Sequence, residues 1–491
     1  MPITIEKKVQ ALPVPEKSGG TMSKYRWTIC ALLFFSTTIN YLDRQVLSLT
    51  WKKYLVPEFH WNDSDYGTIT ALFSIFYAVS MLLAGRFIDW MGTRKGFLWA
   101  IGIWSAGACI HAFCGIATSG ILTGVWSGFE GAKAALANFD KAVVITSTSV
   151  ALFIFARFVL ALGEAGNFPA AIKATAEYFP KKDRAFATSV FNAGATVGAL
   201  LAPLSIPYIA EAWGWEMAFI VIGASGFIWM MFWMVLYQKP DVHPKVSKAE
   251  LAYIQQDNAQ VGAAATGAPV SRMSFRECFQ YRQTWAFAFG KFMTDGVWWF
   301  YLFWTPAYLT DIYKMQGTQT SVPLFVLYGI TLLSLIGGWL PTYFVDKKGM
   351  NPYEGRMKAM LIFAFFPLVA LLAQPLGSYS YWFPVIIIGI AAAAHQAWSA
   401  NIFSTVGDMF PRSAIATITG IGGMAGGLGS FLINKGSGVL FTHADKTQMQ
   451  FMGFQGKEAG YFIIFSICAV VYLIGWMVMK TLVPKYKPIG E

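Results

Sequence analysis

Charge is the scarcest ingredient of this 491-residue chain: Asp, Glu, Lys and Arg make up 13% of it, against roughly 25% in soluble proteins. That supply cannot cover a water-exposed surface of this size. A soluble α/β enzyme and a disordered chain are therefore excluded. Cysteine is sparse too. Cys30, Cys109, Cys114 and Cys468 fall inside apolar stretches and Cys278 in a polar loop. None has metal-ligand spacing, so neither a disulfide scaffold nor a metal centre is expected, and no cofactor is called for.

Hydrophobic residues, by contrast, reach 56%, aromatics 16%, and there are 46 glycines, a residue over-used in packed membrane helices. The fold class is an all-α integral membrane protein in contact with lipid. A formal charge of +11 raises the question of nucleic acid. However, the Lys and Arg residues sit in short clusters between long apolar runs rather than along one basic stripe, so no nucleic-acid partner is expected.

A hydrocarbon core of about 30 Å needs roughly 20 helical residues per crossing. That ruler places twelve helices near 26–49, 66–90, 96–116, 147–169, 185–210, 215–237, 285–309, 321–345, 357–374, 380–404, 414–441 and 459–480. The first apolar run, from Trp27, is too long for a signal sequence and should stay as a span. Basic residues favour one set of loops by about three to one, which puts both termini in the cytoplasm of a cell with this protein in its plasma (inner) membrane. The chain then divides into a polar tail at 1–25, six helices over 26–237, a linker at 238–283, six helices over 284–480, and a tail at 481–491. Within the linker, Ser247 with Glu250 and Ser274 with Glu277 have capping-box spacing. Residues 117–147 are a small-residue-rich insertion, read as a partly helical cap on the outer side.

A weak repeat supports two halves. The stretch Gly85-Arg86-Phe87-Ile88-Asp89-Trp90-Met91-Gly92-Thr93-Arg94-Lys95 is echoed at the matching place by Asp346-Lys347-Lys348-Gly349. Duplicated halves with a site at mid-membrane between them are a transporter device. The glycines from Gly420 to Gly429 have no Lys-Ser or Lys-Thr after them and read as a close-packing helix face, not a phosphate cradle.

Ionisable groups in hydrocarbon are costly unless paired or hydrated, which makes them functional candidates. Asp43 and Arg44 lie deep in the first span, and Arg157 and Glu164 share one face of the fourth. Two guanidinium groups and two carboxylates balance when the site is empty. An organic anion would upset that balance, and a proton on Asp43 or Glu164 would restore it, which is the logic of proton-coupled anion uptake. Arginine suits the anion because its planar fork grips a carboxylate with two hydrogen bonds. The competing reading is structural: Asp43 with Arg44, or Arg157 with Glu164, as bridges that lock helices. Tyr41, Tyr77, Asn192, Thr196, His395, Gln396 and Ser399 supply donors and acceptors for sugar hydroxyls, although such groups also bridge membrane helices. Lys291 and Asp295, four apart in the seventh span, are expected to pair.

The Gly85-to-Lys95 stretch resembles the loop signature of the major facilitator superfamily. That likeness implies a gating role for Gly85, Asp89, Gly92 and Arg94, in which Asp89 and Arg94 clasp neighbouring helix ends; Trp90 stands where an Arg commonly follows the Asp. Asn40-Tyr41-Leu42-Asp43-Arg44 with Arg157 and Glu164 resembles the anion:cation symporter family. The resemblance implies that Arg44 receives the substrate carboxylate, that Arg157 serves coupling, and that Asp43 and Glu164 are proton sites. Phe191-Asn192-Ala193-Gly194, Trp298-Trp299-Phe300-Tyr301 and Ala394-His395-Gln396-Ala397 look most like bacterial hexuronate transporters. The expectation is a monomeric, proton-coupled importer of a sugar acid such as glucuronate or galacturonate, working by alternating access. Alternatives are an importer of an aldonate, aldarate or aromatic carboxylate, a membrane sensor, or a membrane enzyme, for which no catalytic constellation is seen.

Overall fold

The computed structural model describes residues 22–256, 274–411 and 414–489. The expected tail through residue 21, the middle of the linker and Arg412 lie outside them. The main helices of the first half are α1 (Tyr25–Thr50), α2 (Asp63–Met91), α3 (Thr93–Thr123), α4 (Phe129–Ala137), α5 (Ala142–Glu164), α6 (Asn167–Tyr178), α7 (Lys181–Trp213) and α8 (Trp215–Leu236). After the linker helix α9 (Lys248–Ile254) come α10 (Arg282–Tyr313), α11 (Ser321–Ile330), α12 (Ile336–Lys348), α13 (Pro352–Phe365), α14 (Trp382–Met409), α15 (Ile415–Thr447) and α16 (Lys457–Leu482). The only strands among the described residues are the two-residue pair Gln450–Phe451 and Phe454–Gln455.

Among the described residues nine helical segments are long and apolar enough to cross a bilayer. Three further helices, α1, α10 and α15, have 26, 32 and 33 residues and so exceed the thickness of the hydrocarbon core. They are less apolar for an identifiable reason. Asp43 and Arg44 interrupt α1, Lys291 and Asp295 interrupt α10, and α15 is rich in glycine.

Close packing explains the glycine content. A Cβ on Gly163 would sit 2.3 Å from the Trp104 nitrogen, where α5 crosses α3, and one on Gly194 would sit 2.3 Å from the Phe34 carbonyl, where α7 crosses α1. On α15, a Cβ on Gly429 would sit 1.9 Å from the Phe292 carbonyl of α10, and one on Gly427 would sit 2.4 Å from the Ala78 side chain of α2. Removing side chains lets backbones approach and gain dispersion contacts where no hydrophobic drive exists between helices. In the first half, α1 packs on α7, and α3 on α5 and α8; in the second, α10 packs on α15 and α16, and α11 on α14. The halves meet where α2 runs along α15 and α7 meets α11.

Gly92 turns the chain between α2 and α3 with φ +77°, and Gly349 does so at the corresponding place in the second half with φ +64°, a region that side chains rarely adopt. The repeat therefore extends to backbone geometry. Of the two capping boxes expected in the linker, Ser274–Glu277 closes fully. At the other, Ser247 accepts from the Glu250 nitrogen, but the Glu250 carboxylate turns elsewhere. It accepts from the backbone nitrogens of Tyr25 and Arg26 and pairs with the Arg26 guanidinium at 3.1 Å. A carboxylate at the first turn of α1 satisfies orphan donors and complements the helix dipole, which outweighs the local cap and ties the linker to the first half. Residues 117–147 comprise the end of α3, the short helix α4 and the start of α5. Helix α4 is fastened by Lys133, which bridges Glu130 and Glu216 at 3.2 and 3.0 Å.

Candidate functional site

A chamber of about 300 Å³ lies on the seam between the halves. The first half lines it with Tyr41, Phe168, Asn192, Ala195, Thr196 and Ala199, and the second with Trp298, Thr331, Gln396, Ser399, Ala400 and Phe403. Thus Tyr41, Asn192, Gln396 and Ser399, chosen from sequence, meet around one space. His395 stands behind that wall. Its ring stacks on Trp298 at 5.7 Å, and its Nδ1 lies 2.8 Å from the Tyr472 hydroxyl of α16.

The four buried charges of the first half are arranged differently from either pairing weighed above. Arg44 reaches across to α5, where its Nε and Nη2 both donate to Oε2 of Glu164 at 3.0 and 2.6 Å. The two side chains are 4% and 0% exposed. Adjacent residues on a helix point about 100° apart, so Asp43 is directed away from Arg44. Among the described residues, neither Asp43 oxygen, nor Nε and Nη1 of Arg157, nor Oε1 of Glu164 finds a hydrogen-bond partner. The guanidinium of Arg157 instead faces the Phe73 ring at 5.1 Å.

Arg44 also sits in a cage of rings. Its central carbon lies 5.1 Å from Tyr41, 4.8 Å from Tyr77 and 4.8 Å from Trp299, with Phe73 at 5.9 Å. Such contacts contribute about 0.5–2 kcal/mol each when desolvated. Tyr77 therefore serves Arg44 rather than lining the chamber. The site can hold a guanidinium charged and oriented, and it can offer that guanidinium to either a fixed or a mobile carboxylate.

The loop stretch makes contacts within its own half. Asp89 pairs with Lys173 of α6 at 2.8 Å, and Arg94 donates to the Met234 carbonyl at the C-terminal end of α8 at 2.6 Å, where a cation complements the helix dipole. Thr93 donates to Glu177 at 2.6 Å, and Tyr237 donates to the same carboxylate. Gly85 has open space around it.

At the face opposite the start of α1 and the end of α16 the halves are joined by a four-charge interlock that the sequence reading did not anticipate. Lys52 lies 2.6 Å from Asp63 and 2.8 Å from Asp311, while Lys457 lies 2.7 Å from Asp63 and 3.4 Å from Asp311. Each lysine thus bridges one aspartate from each half. Tyr66 donates to the Phe303 carbonyl and Lys435 to the Thr68 hydroxyl, adding further bonds across the seam, while Tyr461 donates to Asp311 within the second half. The only hint available in sequence was that Lys52, Asp63, Asp311 and Lys457 all stand at helix ends expected on one side.

Two helical halves with a polar chamber on their seam, closed at one face by ion pairs, define a membrane solute transporter rather than an enzyme. The chain belongs to the Major Facilitator Superfamily, whose family model matches residues 33–433. Among its relatives are the hexuronate transporter of Escherichia coli (strain K12), 27% identical and covering 93% of each chain, and the galacturonate transporter of Dickeya chrysanthemi, 27% identical over 65% of this chain and 82% of that one. A probable galactarate/D-glucarate transporter of Escherichia coli (strain K12) is 24% identical over 90% of this chain and 94% of its own. The fold matches a bacterial homologue of the human lysosomal transporter Spinster, in an inward-facing and unoccupied conformation, with a TM-score of 0.68 at 16% identity, covering 94% of this chain and 98% of that one. It also matches a D-xylose–proton symporter, with a TM-score of 0.62 at 16% identity and coverage of 94% and 98%.

Proposed function

We propose that this chain is a proton-coupled symporter that brings a sugar-acid anion, a hexuronate such as glucuronate or galacturonate, across the plasma (inner) membrane. Twelve spans, with α1, α10 and α15 completing the set, would put both termini in the cytoplasm, and a monomer is sufficient. The observation that carries the reading is the caged Arg44, held by Glu164 beside a polar chamber. The names of the relatives, which include hexuronate, galacturonate and galactarate carriers, support the substrate class.

The mechanism is an exchange of partners. Protonation of Glu164 removes the charge that holds Arg44, and the substrate carboxylate takes its place. Asp43 and Arg157 adjust the remaining charge, while Tyr41, Asn192, Gln396 and Ser399, with Tyr77 and His395 behind them, orient the hydroxyls. On this orientation the interlock of Lys52, Asp63, Asp311 and Lys457 closes the outer face, and the contacts of Gly85, Asp89, Gly92 and Arg94 belong to the inner gate. Rocking of the halves then opens one face at a time.

The test is a thermal-shift screen of the purified protein against sugar acids and their neutral parent sugars, followed by uptake in proteoliposomes. Stabilisation by hexuronates but not hexoses, with uptake driven by a proton gradient in the absence of sodium, is the expected result. Preference for the neutral sugars, or a strict sodium requirement, would overturn it.

A further inference from the structure

The second half carries its own buried ion pair, which neither the chamber lining nor the exchange at Arg44 uses. Lys291 and Asp295 of α10 lie 2.8 Å apart. Residues 291, 295, 298 and 299 recur at helical spacing and share one face. On that face Trp298 lines the chamber and Trp299 lies against Arg44, so the pair continues a stripe that already belongs to the site. The Lys291 ammonium sits 4.0 Å over the ring of Phe403, another chamber residue. The two members are not equally accessible: the Asp295 side chain is 16% exposed and that of Lys291 5%. The lysine is the more deeply buried member of the pair and the carboxylate the more accessible one.

Space has been kept for that carboxylate. On α15, a Cβ at Gly426 would lie 2.2 Å from Asp295 Oδ2, so any side chain there would displace it. Depth also fits. Asp295 is four residues from Trp299, or roughly 6 Å along the helix axis. That is about the separation between the carboxylate of a sugar-ring acid and the hydroxyls at its far end. A carboxylate accepts from neighbouring hydroxyls, and one locked by an ammonium remains an acceptor with negative charge.

We propose that Asp295, positioned by Lys291, binds the hydroxyls of the sugar acid remote from its own carboxylate, and that its charge rejects acids bearing a second carboxylate there. This deepens the proposed function and rests on its placement of the substrate carboxylate at Arg44. The chemistry selects a monoacid with a hydroxylated far end over a diacid of the same carbon skeleton. A like charge facing a buried carboxylate is repelled, and a site built to pair hydroxyls penalises ligands that cannot supply them.

The test is isothermal titration of the purified full chain with glucuronate, glucarate and hexanoate. The wild type should bind glucuronate at least about tenfold more tightly than either competitor. Asp295→Asn, which keeps shape but loses charge, should weaken glucuronate and narrow the glucuronate-to-glucarate ratio by about tenfold. Lys291→Arg should retain the ratio and Lys291→Gln should not, a difference that loss of packing alone would not produce. An unchanged ratio in Asp295→Asn would overturn the proposal. So would wild-type glucarate binding as tight as glucuronate, a measurement that needs no variant. If Arg44→Ala loses glucuronate while Asp295→Asn keeps the ratio, this inference alone falls. If the wild type ignores glucuronate altogether, the proposed function falls with it.

Discussion

On the proposed mechanism, Glu164→Gln separates the two carboxylates, that of Glu164 and that of the substrate, which would compete for Arg44. In the wild type both guanidinium bonds, at 3.0 and 2.6 Å, end on one Glu164 oxygen, and the pair is almost fully withdrawn from solvent. Glutamine keeps the shape and a neutral acceptor but removes the fixed negative charge. A hydrogen bond to a charged group contributes about 1.5–3 kcal/mol. Relieved of that competitor, an incoming carboxylate should bind about 10- to 100-fold more tightly at neutral pH. Without substrate the buried guanidinium is under-compensated, so the empty variant should melt earlier; losing one partner of a buried pair costs about 3–5 kcal/mol, less what the glutamine carbonyl restores. The assay is isothermal titration with glucuronate at pH 6 and pH 8. Wild-type affinity should rise as pH falls, because protonating Glu164 releases Arg44, whereas the variant should bind equally at both. In proteoliposomes the variant should exchange substrate but not accumulate it against a gradient. If it binds no more tightly than wild type and keeps the same pH profile, the exchange of partners is wrong.

Arg44→Ala should abolish binding and uptake together, since the other buried guanidinium of this half, Arg157, shares only the Phe73 ring of the cage; near-normal uptake would refute the role. Glu58, in the short helix Val56–Phe59, accepts from Trp215 Nε1 at 2.8 Å, and burial lifts its pKa from 4.5 to about 7. The folded state therefore holds this proton more tightly than the unfolded chain does. Stability should decline as pH climbs from about 4.5 to about 7 and then level off, by up to roughly 3 kcal/mol. Glu58→Gln should accordingly raise the melting temperature at pH 8 and leave it nearly unchanged at pH 4; equal shifts at both would contradict this. Gly429→Val would drive a side chain into the Phe292 carbonyl and should lower stability by at least about 1–3 kcal/mol in a melting assay, whereas Gly436→Ala, with open space around it, should be neutral or slightly stabilising.

Length and hydropathy made most helices legible: the first expected span, 26–49, is α1 at Tyr25–Thr50, and the tenth, 380–404, overlaps α14 at Trp382–Met409. Spacing within one helix was equally readable, as with Lys291 and Asp295. Partnership between helices was not. Arg157 and Glu164 share a face of α5, yet the carboxylate belongs to Arg44, because the rotation of α1 against α5 is set by packing that no local pattern encodes. His395 turning to Tyr472, and Glu250 leaving its cap for the start of α1, have the same cause: a stronger partner supplied by tertiary structure. The interlock was missed for a related reason. Lys52 and Lys457 counted only as loop charges, and nothing in the sequence pairs them with aspartates more than 100 residues away on the other half.

The ring cage around Arg44 draws on both halves, with Tyr41, Phe73 and Tyr77 from one and Trp299 from the other. On the proposed mechanism it would work as a resting berth, letting the guanidinium drop one anion before meeting the next without being stranded bare in a dry interior. Because the indole wall rides on the opposite half, any rocking motion dismantles part of that berth. On that mechanism the arginine's comfort would become a gauge of which way the molecule is tilted, so that cargo and posture would be read by one side chain.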